Sequence, residues 1–318
     1  MERKQQKKKK KKKLRVISPV FTPALPTRTV TRTRLNPTPI EAEILRLVGT
    51  TLSSLEGWAL RQRCNTGSNW DKDDAATLKR ELTAKGLTSR QAGSIYRLVQ
   101  AQWRAAREAQ KRHTRSLLAR IATIETKLSK PIGGHGAYRT KHEHFQKTRR
   151  LGVLKGRLNT VGMDTQNADV HIVRGGKKLF KNRQNLEEAK LTPTQWRKAW
   201  LAKRHVIEFS GESGKLFGNE TLRVDPATGI VELRVPPCLV NQVEAEHPGL
   251  LDKGRLRFTK PISFKRLSAE WESEVLASRA VSYRVIRDPK RRSWYIDATF
   301  ATAEPTLKPL TPRIVVLI

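Results

Sequence analysis

One pattern limits what this chain can fold into more than any other. From Thr88 onward, apolar residues recur at helical spacing without a proline until Pro131. Thr88 and Gln91 form a T-x-x-Q capping box, which predicts a long helix starting there and running to about Leu128. Its expected buried stripe is Ile95, Leu98, Val99, Trp103, Ala106, Leu117, Leu118, Ile121, Ile124 and Leu128, with Arg97, Arg104, Arg107, Lys111, Arg112 and Arg115 mainly off it. The stretch Pro131–Gly136 (PIGGHG) breaks the helix. A return helix is expected over residues 139–160, with Phe145, Leu151, Leu154 and Leu158 inward. The result is a helix-loop-helix arm of unusual charge: residues 89–160 hold 17 Lys and Arg against Glu108, Glu125 and Glu143.

That arm belongs to a 318-residue chain with 64 Lys and Arg, 29 Asp and Glu, and a formal net charge of +35. The length fits about two domains. An apolar run of about 18 residues is missing, which excludes a transmembrane helix. Cys64 and Cys238 are too few for a disulfide scaffold or a Cys-based zinc site. Residues 1–26 read as a disordered basic tail containing the Lys7–Lys13 run. Such a tail fits phosphate binding, a nuclear localisation signal in a eukaryote, or a solubilising extension. Leu14–Phe21 is broken by Arg15, Ser18 and Pro19, so it is no secretory signal. A cytoplasmic protein is expected, nucleoid-associated if bacterial. Excess charge of this size calls for a polyanion. Nucleic acid comes first; a membrane surface would require a broad exposed apolar face beside the arm.

The rest of the chain changes texture twice. Thr27–Leu35 alternates Thr with Arg or Val, which predicts a short strand with one basic face. A helix follows Asn36-Pro37, with Ile40, Ile44, Leu47, Val48, Leu52, Leu55 and Leu60 at helical spacing, and Asn69-Trp70-Asp71 opens another that stops at Gly86. Beyond residue 165 come short β-like runs at His171–Arg174, Val206–Ser210, Leu222–Val224 and Ile230–Val235. Asp225–Gly229 is a turn in which Gly supplies a positive φ. Helices are expected after Thr192-Pro193 and over Ser268–Ser278, then strands at Val281–Arg287 and Trp294–Phe300. The fold class is α+β: a helical bundle inserted in an antiparallel β-barrel or curled sheet.

An ordered series of local motifs resembles the front half of the TnpB (OrfB-type) transposon-encoded, RNA-guided DNA endonucleases, relatives of the compact type V CRISPR effectors. The series comprises Arg28–Leu35, Leu87–Gln91, Gly175-Gly-Lys-Lys-Leu-Phe180 with Asn185-Leu186, Gly218-Asn219, Val235-Pro-Pro237, Val281–Ile286 and Trp294–Phe300. The resemblance implies a first wedge strand at 27–35, a helical recognition domain at 36–165 and a wedge-like β-barrel domain at 166–304. Residues 305–318 would be a linker and the start of a truncated RuvC-like nuclease strand, since no catalytic Asp follows Ile314–Ile318. It also implies guide RNA and target DNA as partners, the protein gripping backbone shape while base pairing reads sequence. The expected function is a nucleic-acid-binding, catalytically inactive module with no cofactor of its own, because Mg²⁺ would belong to the missing nuclease domain. The alternatives are the binding half of a split or frame-shifted nuclease, with its nuclease domain as a separate chain, and an unrelated basic RNA-binding structural protein.

Candidate contacts follow from charge and placement. They are Arg97, Arg104, Arg107, Lys111, Arg112 and Arg115 on the long helix, and Arg149, Arg150, Lys155 and Arg157 on the return helix. A solvated helix face normally intersperses acids at i,i+4, and this arm hardly does. Lys177, Lys178, Lys181 and Arg183 after Gly175-Gly176 form a third group, which reads either as a basic turn or as a phosphate seat. It lacks Walker spacing. Trp103, Trp196 and Trp200 fit either base stacking or a core. His142 and His144 face opposite sides of a helix and cannot share a metal. Glu232 and Asp297 alternate with apolar positions as solvent-facing residues would, and no catalytic residue is assigned.

Overall fold

The computed structural model describes residues 28–301 except His205, Pro289, Lys290 and Arg292. The basic tail and the stretch 305–318 lie outside the described residues. Alternation at the start of the chain makes β1 (Arg28–Leu35), with Thr31 and Leu35 inward and Arg28, Val30, Arg32 and Arg34 exposed. Along its whole length β1 pairs antiparallel with β8 (Ser293–Ala301), from Arg28 opposite Ala301 to Leu35 opposite Trp294. On the far side of β8 lies β7 (Ser282–Asp288), and beyond it β2 (Ile207–Phe209). The first strand thus closes on the last, and the long helices are an insertion between them.

A second antiparallel sheet contains β3 (Leu222–Val224), β4 (Val231–Arg234), β5 (Leu251–Asp252) and β6 (Arg255–Arg257) in the order β3-β4-β6-β5. In place of the single barrel expected, the strands among the described residues form two open four-stranded sheets. The strands of the second sheet span two to four residues, too short to wrap around a barrel axis. Both sheets still feed one core. Phe209, Tyr283, Val285, Ile296 and Phe300 from the first meet Leu222, Val231, Leu233 and Leu256 from the second.

Asn219 joins the two sheets. It is fully buried. Its amide donates to the carbonyls of Phe209 (3.2 Å) and Val281 (2.9 Å) beside the first sheet. Its Oδ1 accepts the N–H groups of Thr221 (2.9 Å) and Leu222 (3.0 Å) at the start of the second. All four hydrogen-bonding positions of the side chain are filled. Gly218 before it has φ +70°, and a Cβ there would collide with the Arg279 carbonyl oxygen. The Gly-Asn pair is therefore fixed by the backbone it must approach.

Helix α1 (Pro39–Thr66) begins where Thr38 and Glu41 form a capping box and Pro39 presets φ. Glu41 also accepts the N–H and hydroxyl of Thr259 at 2.7 Å each, tying the helix start to the strands. Ile44, Leu45 and Val48 of α1 enter the sheet core. Its later residues Ala59 and Leu60 pack with Leu78 and Leu82 of α2 (Lys72–Ala84) and with Ala92, Ile95 and Val99 of α3 (Ser89–Leu128). Thr88 and Gln91 form the expected box at the start of α3. The arm is completed by α4 (Lys141–Gln166), seamed to α3 by Leu117, Ile121 and Leu154. That seam is narrower than expected: Leu118 and Phe145 are about half exposed, because a two-helix hairpin covers one stripe and no more.

Four shorter helices follow: α5 (Lys177–Asn182), α6 (Pro193–Arg204), α7 (Pro237–Glu246) and α8 (Ser268–Leu276). The turn at Asp225–Gly229 forms as read, with Gly229 at φ +70° and Asp225 accepting from Ala227 N–H and the Thr228 hydroxyl. His171–Arg174 is not a strand. Arg174 instead reaches α1, donating to the Ser53 carbonyl and Glu56 at 2.5 Å each, and Ile172 packs on the helical core. If Asn219 is the joint, Asn219→Ala leaves four buried backbone groups short of a partner and lowers stability by about 3 kcal/mol or more. Urea denaturation measures this, and a loss below about 1 kcal/mol would contradict the role.

Candidate nucleic-acid interface

The exposed cations of α3 are ordered by helical geometry. At about 100° per residue, Arg97, Arg104, Lys111 and Arg115 fall within roughly 40° of one another. The core positions Ile95, Val99 and Leu117 lie on the opposite side of the helix, and Ile121 about 100° from the centre of the stripe. The four cations are exposed and span about 27 Å at 1.5 Å per residue. Lys111 pairs with Glu108 at 2.8 Å, and the three arginines line the rest of the stripe. Arg112 is also exposed, about 60° to one side. Arg107 differs: half-buried, it donates to Gln110 (3.0 Å) and to the Thr165 carbonyl (3.1 Å) and so pins α3 to the end of α4. Its role is to hold the arm together.

The bases of α4 do not form one line. Arg149, Arg150, Lys155 and Arg157 are all exposed; Arg150 and Arg157 fall within about 20° of each other, Arg149 lies about 80° or more to one side, and Lys155, on roughly the opposite side, pairs with Glu125 of α3 at 2.7 Å. Lys177, Lys178 and Lys181 are exposed on α5, with Arg183 as its C-terminal cap. Gly175 and Gly176 before them both have φ +94°. A Cβ on Gly175 would lie 2.7 Å from the Trp200 ring.

Each tryptophan singled out in the sequence has a partner within the protein. Trp196 and Trp200 stack on each other with centroids 5.4 Å apart and planes 16° apart. Trp196 also donates its indole N–H to the Leu179 carbonyl at 2.7 Å. Trp103 faces Arg63, whose guanidinium carbon lies 3.6 Å from its ring centroid and 4.9 Å from that of Trp70. Arg63 is buried and donates to Gln100 (3.2 Å) and the Gly67 carbonyl (2.6 Å). Burial lowers its pKa, so the two indole faces and these acceptors offset the cost of desolvating the cation. Nothing in the local sequence around Arg63 signals this role.

Asp297, expected to face solvent, is buried in the first sheet, flanked in register by Arg32 of β1 and Arg284 of β7. Arg32 grips it with two hydrogen bonds (2.5 and 2.9 Å) and Arg284 adds two more at 2.9 and 3.3 Å. Alternation places Asp297 on the outer face correctly but carries no hint that two arginines cover it. Glu232 lies in β4 opposite Arg257. Among the described residues, no group of three or more His, Cys, Asp or Glu is arranged to hold a metal ion. Likewise none of the described helices is long and apolar enough to cross a membrane.

Comparison of the chain with protein-family models, curated proteins and solved structures found no match.

Burial pushes the Asp297 carboxyl up, but the hydrogen bonds from Arg32 and then Arg284 outweigh it, and the net pKa lies below the usual carboxylate value. A lowered folded-state pKa stabilises above the unfolded value, and that stability is lost as pH falls through the folded one. Asp297→Asn should therefore cost about 1–3 kcal/mol at neutral pH, less than a fully buried pair because both arginines are half in water. Thermal melts over acid to neutral pH should show the variant losing less stability than wild type below the ordinary carboxylate range. Parallel pH profiles would contradict the assignment.

Proposed function

We propose that this chain is a nucleic-acid-binding module that grips structured RNA and an RNA–DNA hybrid through the basic arm, in the manner of the TnpB-like proteins its motifs resemble. In this reading the helices of residues 36–165 act as the recognition lobe. The two sheets stand in for the barrel-like wedge. No cleavage chemistry is proposed for the described residues.

One observation carries the reading: Arg97, Arg104, Lys111 and Arg115 form a line of exposed cations opposite the core side of α3. Successive cations at seven-residue spacing stand about 10 Å apart, a separation suited to phosphates along a backbone rather than to one small anion. An ordinary solvated face would carry acids between them to relieve repulsion. Here Glu108 is the acid in the stripe, and Lys111 already engages it. Such a line supplies affinity and position, while sequence is left to base pairing.

Binding to a structured RNA should weaken steeply with salt, because each neutralised phosphate releases counterions. Reversing Arg97 and Arg104 to Glu should reduce the slope of log affinity against log salt by about one for each phosphate the variant no longer neutralises. Fluorescence anisotropy with a labelled hairpin RNA measures both. An unchanged slope in the reversed variant would remove the stripe from the interface. The control is Arg107→Lys, which should leave the slope intact and act on the melting temperature instead.

A further inference from the structure

We propose that a cleft between α5–α6 and the outer face of the first sheet seats one unpaired nucleotide of a bound RNA strand. The inference rests on the RNA-binding reading above and adds a second, chemically different site to it. The cleft encloses about 930 Å³. Its floor includes Tyr295 of β8 and Ile286 of β7, which lie directly opposite each other in the sheet register. Leu179 of α5, and Ala199 and Ala202 of α6, make the facing wall. Lys178, Lys203, Arg287 and Arg291 also line it, with Asp288 as the acid among the lining residues, while Arg32 at the same cleft is already engaged by Asp297.

The wall is built to keep its shape. Trp200 lies against Gly175, where no side chain would fit, and stacks on Trp196, which is itself held by the Leu179 carbonyl. Both tryptophans are thus spent on holding α6 to the Gly175–Leu179 segment. Tyr295 is the aromatic ring that lines the cleft, with the Arg32 guanidinium 5.8 Å from its centroid.

Apolar walls with one aromatic ring select a flat, weakly polar group. A surplus of cations beside them selects an anion attached to that group. A nucleotide has both parts. A duplex presents only its backbone to such a surface, whereas an unstacked base can enter and lie on an aromatic side chain. A continuous strand also fits the setting, because Lys181 and Arg183 of the same segment are exposed and line a separate pocket where further phosphates could be met.

The test uses the full chain and a short unstructured RNA carrying a single photoreactive thiouridine. Crosslinked peptides should map to Tyr295 or to residues 199–203. Tyr295→Ala should weaken affinity about tenfold through the loss of stacking. The double reversal Lys178→Glu with Lys203→Glu changes only exposed side chains, so it keeps the fold, and it should weaken affinity by at least as much. Crosslinks confined to α3 and α4, with unchanged affinity in the double reversal, would overturn the cleft while leaving the arm's role standing. Failure of the unmodified chain to bind any RNA would overturn both. Free thiouridine monophosphate crosslinking as efficiently as the oligonucleotide would overturn the assignment to a strand.

Discussion

The pairing of β1 with β8 is the interaction on which the rest of the molecule hangs. It joins Arg28–Leu35 to Ser293–Ala301 residue by residue, and everything between must leave and return to that seam. Its outward row is held by charge: Arg32, Asp297 and Arg284 stand side by side on three adjacent strands. A buried carboxylate with one arginine on each side is satisfied only when all three strands are in register, since a one-residue slip would turn the partners to the other face. The ion triad therefore specifies register more than it adds stability.

From that seam the two parts of the molecule divide their tasks. Asn219 and Glu41 are polar groups buried where elements meet: Asn219 accepts from the nearby Thr221 and Leu222 N–H groups and donates to the Phe209 and Val281 carbonyls, and Glu41 accepts from the N–H and hydroxyl of distant Thr259. They convert two small sheets and a long helix into one core. The arm made by α3 and α4 is different. Its own core is a thin seam around Leu117, Ile121 and Leu154, so most of its surface is left to water and to cations. A hairpin with so little to bury and so much charge is what the proposed nucleic-acid reading sets out to explain.

Local chemistry is legible in the sequence. The Thr88–Gln91 box, the Asp225–Gly229 turn and the alternation of β1, β7 and β8 each depend on neighbours a few residues away, and each forms where expected. What stays hidden depends on partners far along the chain. Arg63 between Trp70 and Trp103, Arg174 on Glu56, and Asp297 between two arginines all look like ordinary surface charges until the fold brings their partners in. Helix α7 and the β5–β6 pair also escape a reading of the sequence, because strands of two and three residues carry no period and α7 is only ten residues long. Within the arm, charge composition alone does not tell which bases the protein itself engages: Arg107 and Lys155 are engaged within the arm, while Arg97, Arg104 and Arg115 lie along its open face.

The central proposal is that the chain holds one structured RNA, its exposed cations supplying affinity and position along the phosphate backbone. Purifying the chain from its native cells and sequencing the RNA that accompanies it tests this most directly. The account predicts one discrete, structured RNA species enriched far above its cellular abundance. Random fragments recovered in proportion to abundance, or no RNA at all, would contradict it.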